Sequence, residues 1–402
     1  MKKKKISFSL SLQDKNKQTM TIVFFIFATG ILLWLVQFWI NFFSSTPPHI
    51  LNNGVFHQDY RDSFADFFNI NCFIQNFSPY LNGNDSSYPP FNFLIALPFV
   101  LIMKIGQNSS TLTPLPVWEN AHWQDWLSLS LLFALYVCMI VLLAILFYKK
   151  YTPSPRVMFF IVAICLFSSP FLFLIERANY VFFTFFFVAI FLLCYDSQRN
   201  WVRWLSYLAL AAAVATKMYP AIFALVLLKK KRYKDTLTAA GLSILLFFLP
   251  FFMLKGGFWT NLQAFLQNLQ SFGSYERLSI DVSTGNCFRI LTYLFGGNYL
   301  SEGLSFFTLV FRLFLFVACC IFSLFYKRTW QSITLLSLLV VIVPMPAMVH
   351  SLIFVLLGFV SWLMHQQKRK IDYWYSVVLF LFLTHLKFGY IIETYPRHLQ
   401  YP

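Results

Sequence analysis

The sequence predicts an all-α, polytopic transmembrane helix bundle of about eleven spans with helical outer loops, and three observations carry that expectation. Of its 402 residues, 58% are apolar and only 11% are charged, where soluble proteins carry roughly 25% charged residues. Apolar runs approaching the roughly 20 residues that cross a bilayer recur along the whole chain. Lys and Arg, 31 against 15 Asp and Glu for a net charge of +16, collect in short runs between the apolar ones. In a soluble protein that charge would suggest nucleic acid. Here no basic and aromatic stripe lies outside the short runs, so the expected partner is the lipid bilayer and not nucleic acid.

Taken in order, the expected spans are 21–43, 126–148, 157–175, 180–195, 202–216, 218–228, 237–254, 305–326, 330–348, 350–364 and 372–391. The first follows a basic tail, 1–20, exceeds a signal-peptide core and lacks a small-residue cleavage site, so it reads as an uncleaved span. Most of the bases fall in six runs: the Lys-rich tail, Lys149/Lys150/Arg156, Arg199/Arg203, Lys229 to Lys234, Lys327/Arg328 and Lys368 to Lys370. With this count all six share one side, which the positive-inside bias makes cytoplasmic. The arithmetic requires that 91–106 does not cross. That segment is short, carries Pro98 and Lys104 and follows Pro89-Pro90, as suits an interfacial or re-entrant helix. Residues 21–391 then form one membrane domain with outer loops 44–125 and 255–304, and 392–402 is a short C-terminal tail. Cys138, Cys165, Cys194, Cys319 and Cys320 lie inside apolar runs as packing residues, and no zinc-site spacing appears.

The first outer loop holds the most suggestive cluster, His57-Gln-Asp-Tyr-Arg-Asp-Ser-Phe-Ala-Asp-Phe-Phe-Asn69. If the run is helical, Asp59, Asp62 and Asp66 share one face. Close carboxylates share a proton, bind a divalent cation, or hold one member as a general base; a solvated acidic helix face is the plainer reading. Lys217-Met218-Tyr219-Pro220 breaks a long apolar stretch, where a Lys either meets an anionic group or snorkels to the interface. Arg312 and Lys387 sit deeper in their spans and either act there or pair with an acid.

The order of these features resembles the polytopic glycosyltransferases of the GT-C type, in particular family 87 and its DUF2029 relatives. The resembling residues are Asp-Phe-Phe-Asn at 66–69, Pro79-Tyr80, Tyr88-Pro89-Pro90, Glu176-Arg177-Ala178-Asn179 and Lys217-Met218-Tyr219-Pro220-Ala221, followed by the basic loop. Where the relatives tend to show Arg-Gly-Asn this chain has Ala178, and where they often have Gly before the Lys it has Ala215-Thr216. The resemblance implies a GT-C-like catalytic domain in a bacterial plasma membrane, with the N-terminus cytoplasmic and the site on the outer face. It implies a polyprenyl-phosphate sugar as donor, a hexose such as mannose as the sugar, and a cell-envelope glycan or glycolipid as acceptor. By place in the motifs, Asp66 is the base and Asp62 the runner-up. Arg177, Lys217 and Tyr219 contact the donor phosphate, and Asn69, Tyr80, Tyr88 and Asn179 line the substrate. No organic cofactor is implied, although Asp59, Asp62 and Asp66 could hold a divalent cation.

Two other functions compete. A lipid-linked glycan flippase would also need a basic, aromatic cavity, but no symmetry between halves accompanies it here. A glycan polymerase or ligase would place its key cations in a large outer loop, where Arg277 and Arg289 stand. The absence of Asp-x-Asp and of a Gly-rich phosphate loop argues against a nucleotide-sugar donor.

Overall fold

The computed structural model describes residues 64–81, 86–105, 123–274, 283–298, 301–344 and 349–365, with isolated helical positions at 28, 32, 374, 377, 378 and 383. Among the described residues there are helices and no strand. The expected spans 21–43 and 372–391 lie outside the described residues except for those isolated positions.

The helices are α1 (Ala65–Ile74), α2 (Phe91–Met103), α3 (Trp123–Tyr151), α4 (Pro155–Leu166), α5 (Ser169–Arg177), α6 (Val181–Cys194) and α7 (Asn200–Thr216). A 3-10 turn at Tyr219–Ala224 leads into α8 (Leu225–Lys229), and α9 (Tyr233–Phe248) ends in a second 3-10 turn at Leu249–Met253. After these come α10 (Phe258–Ser274), α11 (Thr284–Leu294), α12 (Glu302–Phe325), α13 (Thr329–Ile342), a 3-10 turn at Val349–Phe354 and α14 (Val355–Leu363). Several starts follow from local chemistry. Ser154, Ser283 and Ser301 each accept a backbone N–H of the helix they open, from Val157, Asn286 and Leu304, and Pro155 occupies the first turn of α4, where no amide donor is needed.

Among the described residues, three helices are long and apolar enough to cross a membrane: Trp123–Tyr151, Tyr233–Met253 and Glu302–Phe325. A fourth crossing results if α4 and α5 count as one span bent by 54°. The bend falls at Phe167-Ser168, where Ser168 Oγ donates to the Cys165 carbonyl and Pro170 opens the next helix, so the expected straight span 157–175 is two pieces. The other apolar helices run 10–17 residues, because Lys217 to Pro220 and the 3-10 turn at 349–354 divide what hydropathy joins.

The bundle has two chemically distinct ends. At one, Lys150 Nζ meets Asp196 Oδ1 at 2.9 Å and the Leu192 and Leu193 carbonyls at 3.0 Å. Lys230 lies 3.9 Å from the same carboxylate. Arg232 donates to the Tyr195 carbonyl and to Asp235, both at 2.6 Å, and Lys229 donates to Ser332 Oγ at 2.6 Å and the Arg328 carbonyl at 3.4 Å. Members of three of the six basic runs therefore meet there. Exposed Trp201, Trp204 and Tyr233 ring that end, and exposed Trp123, Trp126 and Trp259 mark elements of the other, a distribution expected of interfacial aromatic belts.

Helix α2 belongs to the end away from the bases. Its first turn is tied to the last carbonyl of α7 through Asn92. Farther along, Ser128 Oγ donates to the Phe99 carbonyl and Gln124 Nε2 to the Ile105 carbonyl, both donors lying in the first turns of α3, far from Lys150. Both ends of α2 are thus tied to that end of the bundle.

Candidate active site

Four chain breaks meet at the end opposite the basic cluster: the start of α1, the α5–α6 turn, the α7–3-10 junction and the 3-10 turn at 349–354. Each supplies at least one polar group, because a helix terminus leaves backbone unsatisfied and a side chain able to point across the gap.

Helix α1 begins abruptly. Phe64 is left-handed (φ 59°) and its N–H donates to the Glu176 carbonyl at 2.7 Å, which docks α1 on the end of α5. Asp59 and Asp62, expected to share a helical face with Asp66, lie outside the described residues. Asp66, in the first turn of α1, is only 7% exposed.

The α5–α6 turn is built around Ala178, which is also left-handed (φ 46°, ψ 47°). The Asn179 N–H returns to the Leu174 carbonyl at 3.1 Å, the long bond of a Schellman stop. An L-residue there costs roughly 1–2 kcal/mol, which gives a physical reason for glycine at this point in related chains. The Ala178 methyl is completely buried in the core, and Ala215 and Thr216 are too, so the added bulk packs inward rather than into the site.

This turn aims two side chains at Asp66. Arg177 Nη2 donates to Oδ1 at 2.7 Å and Nε to Oδ2 at 3.1 Å, a two-pronged grip, and Asn179 Nδ2 donates to Oδ2 as well. Asn179 is itself fixed: its Oδ1 accepts the Val181 N–H at 2.7 Å, capping α6, and its carbonyl accepts the Tyr136 hydroxyl at 3.0 Å. Burial alone would raise the Asp66 carboxyl, but the Arg177 charge and these hydrogen bonds, with a smaller contribution from His350, hold it below the ordinary carboxylate value. Asp66 is ionised.

Because the Val181 N–H fixes which end of the Asn179 amide is oxygen, the amide NH2 must face the other way. It reaches His350 Nδ1 at 3.4 Å, so Nδ1 accepts and the imidazole proton sits on Nε2. The ring lies parallel to Phe173 at 6.3 Å.

Lys217 follows the last residue of α7 in extended conformation (φ −151°, ψ 127°). Its ammonium stands over the Tyr88 ring, 4.8 Å from the centroid, and feels the charge of Asp66. Tyr219 packs edge-on against Phe354 at 5.7 Å, its buried hydroxyl without a hydrogen-bond partner among the described residues. Asn69 is half-buried on α1, one turn beyond Asp66. Tyr80 is 4% exposed, set among Phe93, Phe251 and Phe265, and donates its hydroxyl to the Tyr88 carbonyl at 2.7 Å. It supports Tyr88 from behind.

The structure therefore gathers Asp66, Arg177, Asn179, Lys217, Tyr88 and Tyr219 around one point, with His350 as a member the sequence reading missed. Among the described residues no group of three or more His, Cys, Asp or Glu could hold a metal ion.

A family model for glycosyltransferase family 87 matches residues 87–354, most of the chain. The chain belongs to glycosyltransferase family 87. It is a membrane glycosyltransferase. The match takes in Tyr88, Arg177, Asn179, Lys217, Tyr219 and His350, and begins after Asp66. No curated protein matches the chain. In this family 87 enzyme the site can bind an anion through Lys217, offer a neutral N–H donor from His350, and present an ionised carboxylate at Asp66.

Proposed function

We propose that this enzyme moves a hexose from a polyprenyl-phosphate carrier to a cell-envelope glycan or glycolipid on the outer face of a bacterial plasma membrane, by a single inverting displacement. The observation that carries this reading is the buried Asp66 carboxylate beside Lys217, at the end of the bundle opposite the basic cluster. If the basic end is cytoplasmic, Lys217 stands at the top of the 17-residue helix α7, about 25 Å above that side and near the outer leaflet, where a lipid-borne phosphate can reach it.

In the reaction the acceptor hydroxyl oxygen attacks the anomeric carbon on the face opposite the phosphate. The bond from that carbon to the phosphate oxygen breaks, the phosphate departs with the electron pair, and the hydroxyl proton passes to Asp66. A carboxylate offers about four acceptor positions. Arg177 takes two and Asn179 one, which leaves one on Oδ1 for the acceptor hydroxyl. Protonating Asp66 removes a negative charge as the leaving phosphate gains one, so Arg177 and Lys217 stay compensated while the charge moves from one partner to the other. His350, with its proton on Nε2, supplies a neutral hydrogen bond to a substrate oxygen. Tyr219 and Asn69 line the approach.

The reading is tested with purified protein in proteoliposomes given either a polyprenyl-phosphate hexose or the matching nucleotide sugar. Transfer from the lipid donor alone, with the anomeric configuration inverted in the product, is expected. Transfer from the nucleotide sugar alone, or retention of configuration, would overturn it.

A further inference from the structure

Asn92 is the one polar side chain in helix α2, Phe-Asn-Phe-Leu-Ile-Ala-Leu-Pro-Phe-Val-Leu-Ile-Met, and it is 1% exposed. A carboxamide so placed must satisfy its hydrogen bonds within the protein or destabilise the fold. Its Nδ2 donates in two directions, to the Pro89 carbonyl at 3.1 Å and to the Thr216 carbonyl at 2.8 Å. The first partner belongs to the turn that carries Tyr88. The second is the carbonyl of the peptide bond joining Thr216 to Lys217, at the end of α7, where no helical amide follows to bond it.

The backbone on both sides of this bridge is held as well. The Lys217 N–H donates to the Ala213 carbonyl at 3.0 Å. The Thr216 and Thr184 hydroxyls meet at 2.8 Å, and Thr216 Oγ1 also donates to the Ala213 carbonyl at 2.8 Å. The Tyr88 carbonyl is held by the Tyr80 hydroxyl. Asn92 joins the two sides directly through both carbonyls, so it sets the distance between the Tyr88 ring and the Lys217 ammonium.

We propose that Asn92 is a positioning residue for donor binding: by bridging the Pro89 and Thr216 carbonyls it fixes Lys217 against Tyr88, where the ammonium meets the donor's phosphate. This rests on the reading of Lys217 as the phosphate contact. A residue that merely closes α7 would affect folding and both substrates alike.

The test compares Asn92→Ala and Asn92→Ser, each alone and combined with Lys217→Met, by transfer kinetics from a polyprenyl-phosphate hexose. The serine hydroxyl can still bond the nearby Pro89 carbonyl but is too short to reach Thr216. Both single variants should raise the donor KM about tenfold, the order expected for one lost buried hydrogen bond, and leave the acceptor KM unchanged. In the Lys217→Met background neither should change the donor KM further. Multiplicative effects, or equal shifts for both substrates, would overturn the proposal.

A second readout does not depend on the donor. With lysines carrying 13C-methyl groups, the resonance missing from Lys217→Arg should lie upfield in the parent protein because of the Tyr88 ring. It should move downfield in Asn92→Ala and in Tyr88→Leu. An unchanged resonance in Asn92→Ala refutes the positioning role, whereas a parent protein inactive with the lipid donor refutes only the donor reading.

Discussion

Asp66→Asn is expected to reduce transfer by about 100-fold or more, since asparagine keeps the size and hydrogen-bonding shape of aspartate but accepts no proton. Two effects are superimposed in that variant. The substitution removes a base, and it also leaves the Arg177 guanidinium, 16% exposed in its side chain, without its carboxylate. Breaking a buried pair from one side costs about 3–5 kcal/mol, so Asp66→Asn should melt at lower temperature as well. The double variant Asp66→Asn/Arg177→Gln separates the two. It should recover much of the stability, because no uncompensated charge remains, and stay as inactive as the single variant. Recovery of activity together with stability would make Asp66 a structural partner of Arg177 and move the base elsewhere in the first outer loop. The pH dependence of stability has a definite sign. The Asp66 carboxyl is held below its ordinary value by Arg177 despite burial. Its contribution is therefore complete above the unfolded-state value of about 3.9 and disappears as pH falls through the lower folded-state value. Asp66→Asn should lose that part of the acid sensitivity.

Lys217→Met is expected to weaken donor use by about 1.5–3 kcal/mol, the loss of charge-assisted hydrogen bonds to a phosphate, which corresponds to roughly 10- to 150-fold. Methionine keeps an apolar stem of similar length, so the packing beside Tyr88 survives while the charge is lost. Lys217→Arg should be milder. The deficit should be the same with two different acceptors, because the phosphate belongs to the donor. A deficit that varies with the acceptor would place Lys217 in the acceptor groove, and unchanged donor saturation would remove it from the site.

Much of this arrangement was legible in the sequence, for physical reasons that differ from element to element. Helices α6 and α7 fall almost where hydropathy puts them, because an unbroken apolar run such as Val181–Cys194 has little alternative to helix in a bundle. The bend at Phe167-Ser168 was not legible, since Ser and Pro at a helix start look the same within a span as between spans. Among site residues, Arg177, Asn179 and Lys217 were marked by their position at breaks in apolar runs, and Asp66 by its motif. That Arg177 grips Asp66 needed three dimensions, because the two are 111 residues apart in the chain. His350 and Asn92 were missed although each carried a signal, an ionisable residue opening an apolar stretch and a lone amide in an apolar helix. The motif around Tyr80 was visible in the sequence, but its hydrogen bond to the Tyr88 carbonyl was not.

The most direct test of the whole account is a structure of the enzyme with a non-transferable polyprenyl-phosphate sugar analogue. The account predicts the phosphate within hydrogen-bonding distance of Lys217 Nζ, with the anomeric carbon facing the open position on Asp66 Oδ1. A phosphate bound instead at the opposite end, among Lys150, Lys230 and Arg232, would contradict it.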